Sequence, residues 1–165
     1  MSRTRARLLV ALVGVLAVLG GSFVVASPAM AADGCYGDYC SGRDPSTTGV
    51  GGIPCADDGR TVSAVTVNSR IPTGFHDVGR LELRWSPRCQ TNWTRLTLWD
   101  NAFYTGITSM QDSGYSTSHH TSGINGVTGA GTFWTPMIYS PIRAVQGQVN
   151  YSWPTPCTVC QTAWV

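Results

Sequence analysis

The sequence predicts an all-β fold: a small, disulfide-stabilised sandwich or partly open barrel behind an N-terminal signal helix. Three observations carry that expectation. Residues 80–99, RLELRWSPRCQTNWTRLTLW, alternate apolar and polar side chains on both sides of Ser86-Pro87, the pattern of strands with one buried face. All six cysteines follow residue 32, and an even count in an exported chain reads as a disulfide framework. After residue 32 no window sustains an apolar period of 3.6 residues, and short β-branched runs lie between Gly, Pro, Ser and Asp clusters. That punctuation favours many short strands over helices.

The elements follow in order. Arg3, Arg5 and Arg7 precede an apolar run at residues 8–25, and Ala29-Met30-Ala31 supplies the small residues of a cleavage site. Residues 1–31 read as a secretory signal peptide, its arginines held on the cytoplasmic side while the apolar run enters the bilayer. An uncleaved anchor is the alternative, since the run approaches spanning length. The A-x-A site before polar, Gly- and Cys-rich sequence favours cleavage and predicts no stable membrane anchor. Residues 32–165 are then one domain of roughly 130 residues, a usual size for a single core.

Residues 32–60 are an irregular Cys/Gly-rich region, crowded with turn formers and short of aliphatic side chains. TVSAVTVN at 61–68 is a strand, and 70–74 is a turn. The two strands of 80–99 come next. Leu81, Leu83, Trp85, Leu96 and Leu98 are expected to face the core, with Cys89 joining the connection to the N-terminal region. Residues 104–110 form a further strand. Residues 114–131, rich in Gly, Ser and Thr, are loop or short edge strands. TFWTPMIY at 132–139 is a strand whose Pro136 places it at an edge or bulge. Residues 142–145 and 148–153 are expected to form a hairpin around Gly147. The tail carries Pro154, Pro156, Cys157 and Cys160.

The 11 basic residues are all arginine and face nine acidic ones. Without Arg3, Arg5 and Arg7 the balance is eight to nine, a net charge of about −1 that offers no basic field for nucleic acid. Cys35, Cys40, Cys55, Cys89, Cys157 and Cys160 allow fifteen disulfide pairings, and spacing does not choose among them. The four early cysteines lie close enough in sequence to form a cluster of their own. Cys157-x-x-Cys160 can close on itself or reach elsewhere.

At CYGDYCSGRDP, Cys55, LELRWSPRCQTNWTRL and TPMIYSP the chain resembles an uncharacterised domain family of small secreted proteins of Gram-positive bacteria. The residues that match are Cys35, Gly37, Cys40, Gly42, Asp44, Pro45, Cys55, Leu83, Trp85, Ser86, Cys89, Trp93, Arg95, Pro136 and Met137. The resemblance implies secretion and a shared fold, and brings no activity with it. One departure is Val145, where the family has a cysteine shortly after the Pro-Met pair; here Cys157 and Cys160 come later.

If Leu81, Leu83, Leu96 and Leu98 face the core, Arg84, Trp93, Arg95 and Trp99 share the opposite face. Indoles suit sugar rings and guanidinium groups suit carboxylates, so these four residues form a candidate ligand surface. The alternative is packing: the two indoles cover a second small core under the N-terminal region, and Arg84 and Arg95 satisfy Glu82 and Asp44.

His76, His119 and His120 with the C-x-x-C pair raise a zinc site, but the second half-site lacks a recognised spacing. An oxidising compartment favours a disulfide there, and no βαβ pattern supports a redox motif. Asp33, Asp38, Asp44, Asp57 and Asp58 offer oxygen ligands without calcium-loop spacing, so turn formation explains them better. No metal and no cofactor is expected. The chain has no G-x-S-x-G or H-E-x-x-H, and Glu82 is its one glutamate.

These readings predict a secreted monomer, in the medium or on the cell wall, that acts by binding a cell-wall glycan or a secreted protein. A secreted inhibitor or small effector is one alternative. A small hydrolase is another, and it requires His119 or His120 to converge with a carboxylate on a concave site.

Overall fold

The computed structural model describes residues 33–71, 74–121, 127–151 and 157–165. The expected signal peptide lies outside them, as do Pro72, Trp153, Pro154 and Pro156. The N-terminal region holds β1 (Asp33–Gly34), a 3-10 turn (Gly37–Cys40), β2 (Thr48–Val50) and β3 (Ile53–Pro54). It is thus less irregular than its composition indicates, because the three short strands pair into a sheet of their own. The long strands β4 (Arg60–Ile71), β5 (Gly74–Ser86) and β6 (Thr91–Leu98) follow, then β7 (Tyr104–Gln111) and β8 (Ser116–His120). The chain continues with β9 (Gly131–Trp134), β10 (Ile138–Tyr139) and β11 (Val145–Tyr151).

Two sheets make the body. β4, β5 and β6 form an antiparallel ladder, and β9 and β10 both pair with the free edge of β6. β7 lies between β11 and β8 in the second sheet. The sheets pack face to face without closing into a barrel, so the predicted all-β class holds. β5 and β6 are the two alternating runs of residues 80–99, in the register Leu81↔Leu96, Leu83↔Thr94 and Arg84↔Trp93. Leu81, Leu83, Leu96 and Leu98 are buried as expected, the first three completely. Leu81, Leu96 and Leu98 meet Ile107 and Val149 from the second sheet, Leu83 packs with Ile138 and Val145, and each fully buried aliphatic side chain contributes ~1.5–3 kcal/mol over an exposed one.

A polar seam also crosses the interior. Thr94 Oγ1 lies 2.7 Å from Ser109 Oγ, and Ser109 Oγ lies 2.8 Å from Thr135 Oγ1. Buried hydroxyls stay favourable when partnered in this way, and the seam fixes the spacing of the two sheets. It also explains why Gly147 is no turn. β11 is continuous from Val145 to Tyr151 and pairs with β7 throughout. A Cβ at Gly147 would sit 2.7 Å from Thr94 Oγ1, so the glycine is there for close approach of the sheets. The expected hairpin is therefore replaced by a single strand.

Trp85 corrects a second expectation. It is half-buried at the end of β5 and lines an open groove with Arg60, Asn92 and Ile142. The inward direction was right, but the second sheet does not enclose it there. The third correction is at residues 132–139. Pro136 cannot donate to a ladder, and the strand divides into β9 and β10. Within the break, Met137 donates its N–H to the Arg43 carbonyl (2.8 Å) and accepts from the Gly42 N–H (2.9 Å). The interruption in one strand thereby docks the N-terminal region onto the edge of the large sheet.

Candidate functional site

The outward face of β4–β6 is centred on Glu82. Arg95 grips it through Nε (2.8 Å) and Nη2 (2.7 Å), both to Oε2. Thr61 donates its hydroxyl to Oε1 at 2.7 Å and accepts from Arg84 Nη1 at 2.6 Å. Arg84 Nη2 bonds the Gly59 carbonyl, and Arg80 approaches Glu82 from solvent at 3.8 Å. Three guanidinium groups therefore surround one carboxylate.

Burial is the largest influence on Glu82 and disfavours its charge. The hydrogen bonds from Thr61 and Arg95 and the charges of Arg95 and Arg84 outweigh it, holding the carboxyl below its ordinary value. A depressed folded-state pKa contributes stability that is present above the unfolded value, ~4.3, and is lost as pH falls through the depressed one. Glu82→Gln is accordingly expected to destabilise the protein at neutral pH. In urea unfolding its deficit against the unsubstituted protein should shrink as the solution is acidified. A deficit independent of pH would show that the charge is not what Glu82 contributes.

The N-terminal region lies over the next part of this face. Disulfides join Cys35 to Cys40 and Cys55 to Cys89, and Cys157 closes on Cys160. Cys89 thus ties the β5–β6 connection to the N-terminal region as expected. The Cys35, Cys55 and Cys89 sulfurs cluster closely, but each is spent in a disulfide and none is a thiolate ligand. Trp93 is 3% exposed in a small core with these two bridges and Met137. Its indole meets Gly59, where a Cβ would lie 2.5 Å from Trp93 Cη2. Trp93 therefore follows the packing alternative and is no open ligand surface. Arg95 does satisfy Glu82, but Asp44 takes other donors.

Asp44 Oδ1 accepts from the Ser46 N–H (2.8 Å), the Ser46 hydroxyl (2.7 Å) and Trp134 Nε1 (3.2 Å). The first two bonds are turn chemistry. The third holds an indole that is 37% exposed. Trp134 stands on β9, opposite Arg95 on β6, with a concavity on either side. One, of about 280 Å³, is lined by Asp44, His119, Thr132, Phe133 and Pro136. The other, of about 180 Å³, is lined by Pro45, Ser46, Ala56, Arg84, Trp93, Arg95 and Thr132.

The four predicted surface residues are thus divided. Arg84, Trp93 and Arg95 line the smaller concavity. Trp99 does not. It is 55% exposed just past β6 and donates Nε1 to the Asp77 carbonyl at 3.1 Å. His119 sits on the edge strand β8 with its ring 6.2 Å from Phe133, and it shares the larger concavity with Asp44. That joint lining meets the first requirement of the hydrolase alternative. His120 does not line it. Sequence reasoning missed Trp134 altogether. Its one signal was period-two alternation in TFW, which puts Thr132 and Trp134 on the side opposite Phe133. The exposed acidic residues form no three-ligand metal cluster among the described residues.

No helix among the described residues is long and apolar enough to cross a membrane. Neither the curated proteins nor the solved structures contain a match to this chain. A family model does match residues 38–146, the span that holds Asp44, Arg84, Trp93, Arg95, His119 and Trp134 and leaves out Cys35, Cys157 and Cys160. The chain belongs to that family, described as protein of unknown function (DUF2690).

Proposed function

We propose that this protein is a non-catalytic binding module that works outside the cell and takes a glycan on Trp134. The observation that carries this reading is the locked, half-exposed indole with a concavity on either side. An exposed aromatic face provides a platform for the apolar face of a sugar ring, and the bond from Nε1 to Asp44 fixes its orientation before a ligand arrives. Thr132 and His119 border the platform with groups that can bond hydroxyls. Three disulfides accord with an oxidising compartment, and the signal-peptide pattern and the resemblance to small secreted Gram-positive proteins point the same way.

Pull-down on insoluble cell-wall glycan tests the reading. Trp134→Ala is expected to abolish retention while circular dichroism stays unchanged, because the indole lies outside the buried clusters. Trp99→Ala should bind as the unsubstituted protein does. Undiminished retention of the Trp134→Ala variant would place the ligand elsewhere. Release of soluble sugar from the matrix, lost in His119→Ala, would favour the hydrolase alternative. Against that alternative, Asp44 Oδ1 already accepts three donors and positions the indole. One observation favours a protein partner: Ile142 is 93% exposed at the groove beside Trp85. Crosslinking through that groove to a single secreted protein would support an inhibitor or effector role.

A further inference from the structure

The smaller concavity beside Trp134 has a charge balance that its packing role leaves unexplained. Among the described residues Glu82 is the one carboxylate that pairs with this group of arginines, and it pairs with Arg80 and Arg95 but not with Arg84. Arg84 spends Nη1 and Nη2 on neutral acceptors, the Thr61 hydroxyl and the Gly59 carbonyl. Its Nε is enclosed without an acceptor. Arg95 gives Nε and Nη2 to Glu82, and Nη1 has no protein acceptor among the described residues. Both arginines line the concavity, and most of the remaining wall is apolar: Pro45, Ala56, Trp93 and Trp134. Positive charge at an apolar, concave wall is poorly screened.

We infer that this concavity is an anion subsite that receives a carboxylate carried by the sugar stacked on Trp134. The inference rests on the glycan reading above and narrows it to acidic glycans. The size fits that division of labour. About 180 Å³ admits a carboxylate and the carbons bearing it, while the ring stays on the indole at the rim. Arginine is the side chain suited to the task, because its planar donors match a carboxylate and its charge persists at every physiological pH. Burial lowers the Arg84 pKa, and the like charge of Arg95 lowers it further, against the pull of Glu82. An incoming anion would relieve that repulsion. The carboxylate can be that of a uronic acid or of a lactyl ether on an amino sugar; the shared chemistry is a carboxylate one to three bonds from the ring.

Calorimetric titration of the full protein with three matched oligosaccharides tests this: a neutral N-acetylglucosamine oligomer, its lactyl-ether counterpart and a uronic-acid oligomer. At least one acidic ligand is expected to bind about tenfold more tightly than the neutral one, the factor one charge-assisted hydrogen bond supplies. The preference should fall as salt rises. Whichever acidic oligomer binds more tightly identifies the source of the carboxylate. Thr132→Asp places a negative charge at the shared rim, and it should erase the preference, read as the ratio of acidic to neutral affinity within that one variant. Equal affinities for neutral and acidic oligomers, or a preference that survives Thr132→Asp, would overturn the subsite and leave the glycan reading standing. If no oligosaccharide binds, the glycan reading fails, and NMR of the Arg84 and Arg95 Nε–H signals decides the subsite alone. Saturable shifts with glucuronate and none with glucose would uphold it; equal or absent responses would overturn it.

Discussion

Trp93→Ala is expected to lower stability by about 3–5 kcal/mol, the cost of emptying a buried aromatic site. The indole is 3% exposed and stands between the large sheet and the N-terminal region. That region has almost no aliphatic side chains of its own. It adheres because Trp93 rises from β6 into the space between Gly59, the two stacked disulfides and Met137. The sandwich core on the other face of β6 is separate, so the damage should be local first. Proteolysis should cut within residues 41–59 before the sandwich unfolds, and urea unfolding of the variant should lose its single transition. A variant that stays resistant to protease and within 1 kcal/mol of the unsubstituted protein, well short of the usual cost of such a truncation, would show that the bridges alone hold the region down.

Removing the Cys55–Cys89 bridge by Cys55→Ala with Cys89→Ala should cost about 4 kcal/mol, the chain-entropy estimate for its loop. The bridge spans 34 residues and joins the N-terminal region to the turn between β5 and β6. Cys157–Cys160 spans three, and the same relation gives its removal about 1–2 kcal/mol. Thermal unfolding of the two double variants compares them directly. Equal losses would mean that restriction of the unfolded chain is not what these bridges contribute. The ordering bears on function as well, because the N-terminal region carries Asp44, and Asp44 orients Trp134. The Cys55/Cys89 variant should therefore lose glycan retention together with stability, while the Cys157/Cys160 variant keeps it.

The all-β class, the β5–β6 pair and its two faces were legible in the sequence, and the reason is geometric. Side chains alternate across a strand, so Leu81, Leu83, Leu96 and Leu98 declared their shared face without any tertiary information. Cys89 was expected to join the turn to the N-terminal region, but only the structure identifies Cys55 as its partner. Gly147 was misread because a glycine inside a strand looks the same whether it turns the chain or admits a neighbour. Only the position of Thr94 on the other sheet distinguishes the two. The break at Pro136 was anticipated as an irregularity, but its effect, the docking of Gly42 and Arg43 onto Met137, involves residues nearly a hundred positions apart.

The candidate site shows the same division. Local pattern identified Arg84, Trp93, Arg95 and Trp99 as facing one way, since facing is a property of one strand and its register. Whether a residue that faces outward stays exposed depends on what lies over it. The N-terminal region covers Trp93 and leaves Trp99 in solvent. It also brings Asp44 to Trp134, 90 residues away. Sequence by itself thus determined the strands β4 to β7, the inward faces of β5 and β6 and the use of cysteine in place of a larger core. Tertiary structure alone decided which indole is exposed and which is core, because exposure is set by non-local packing that strand periodicity does not encode.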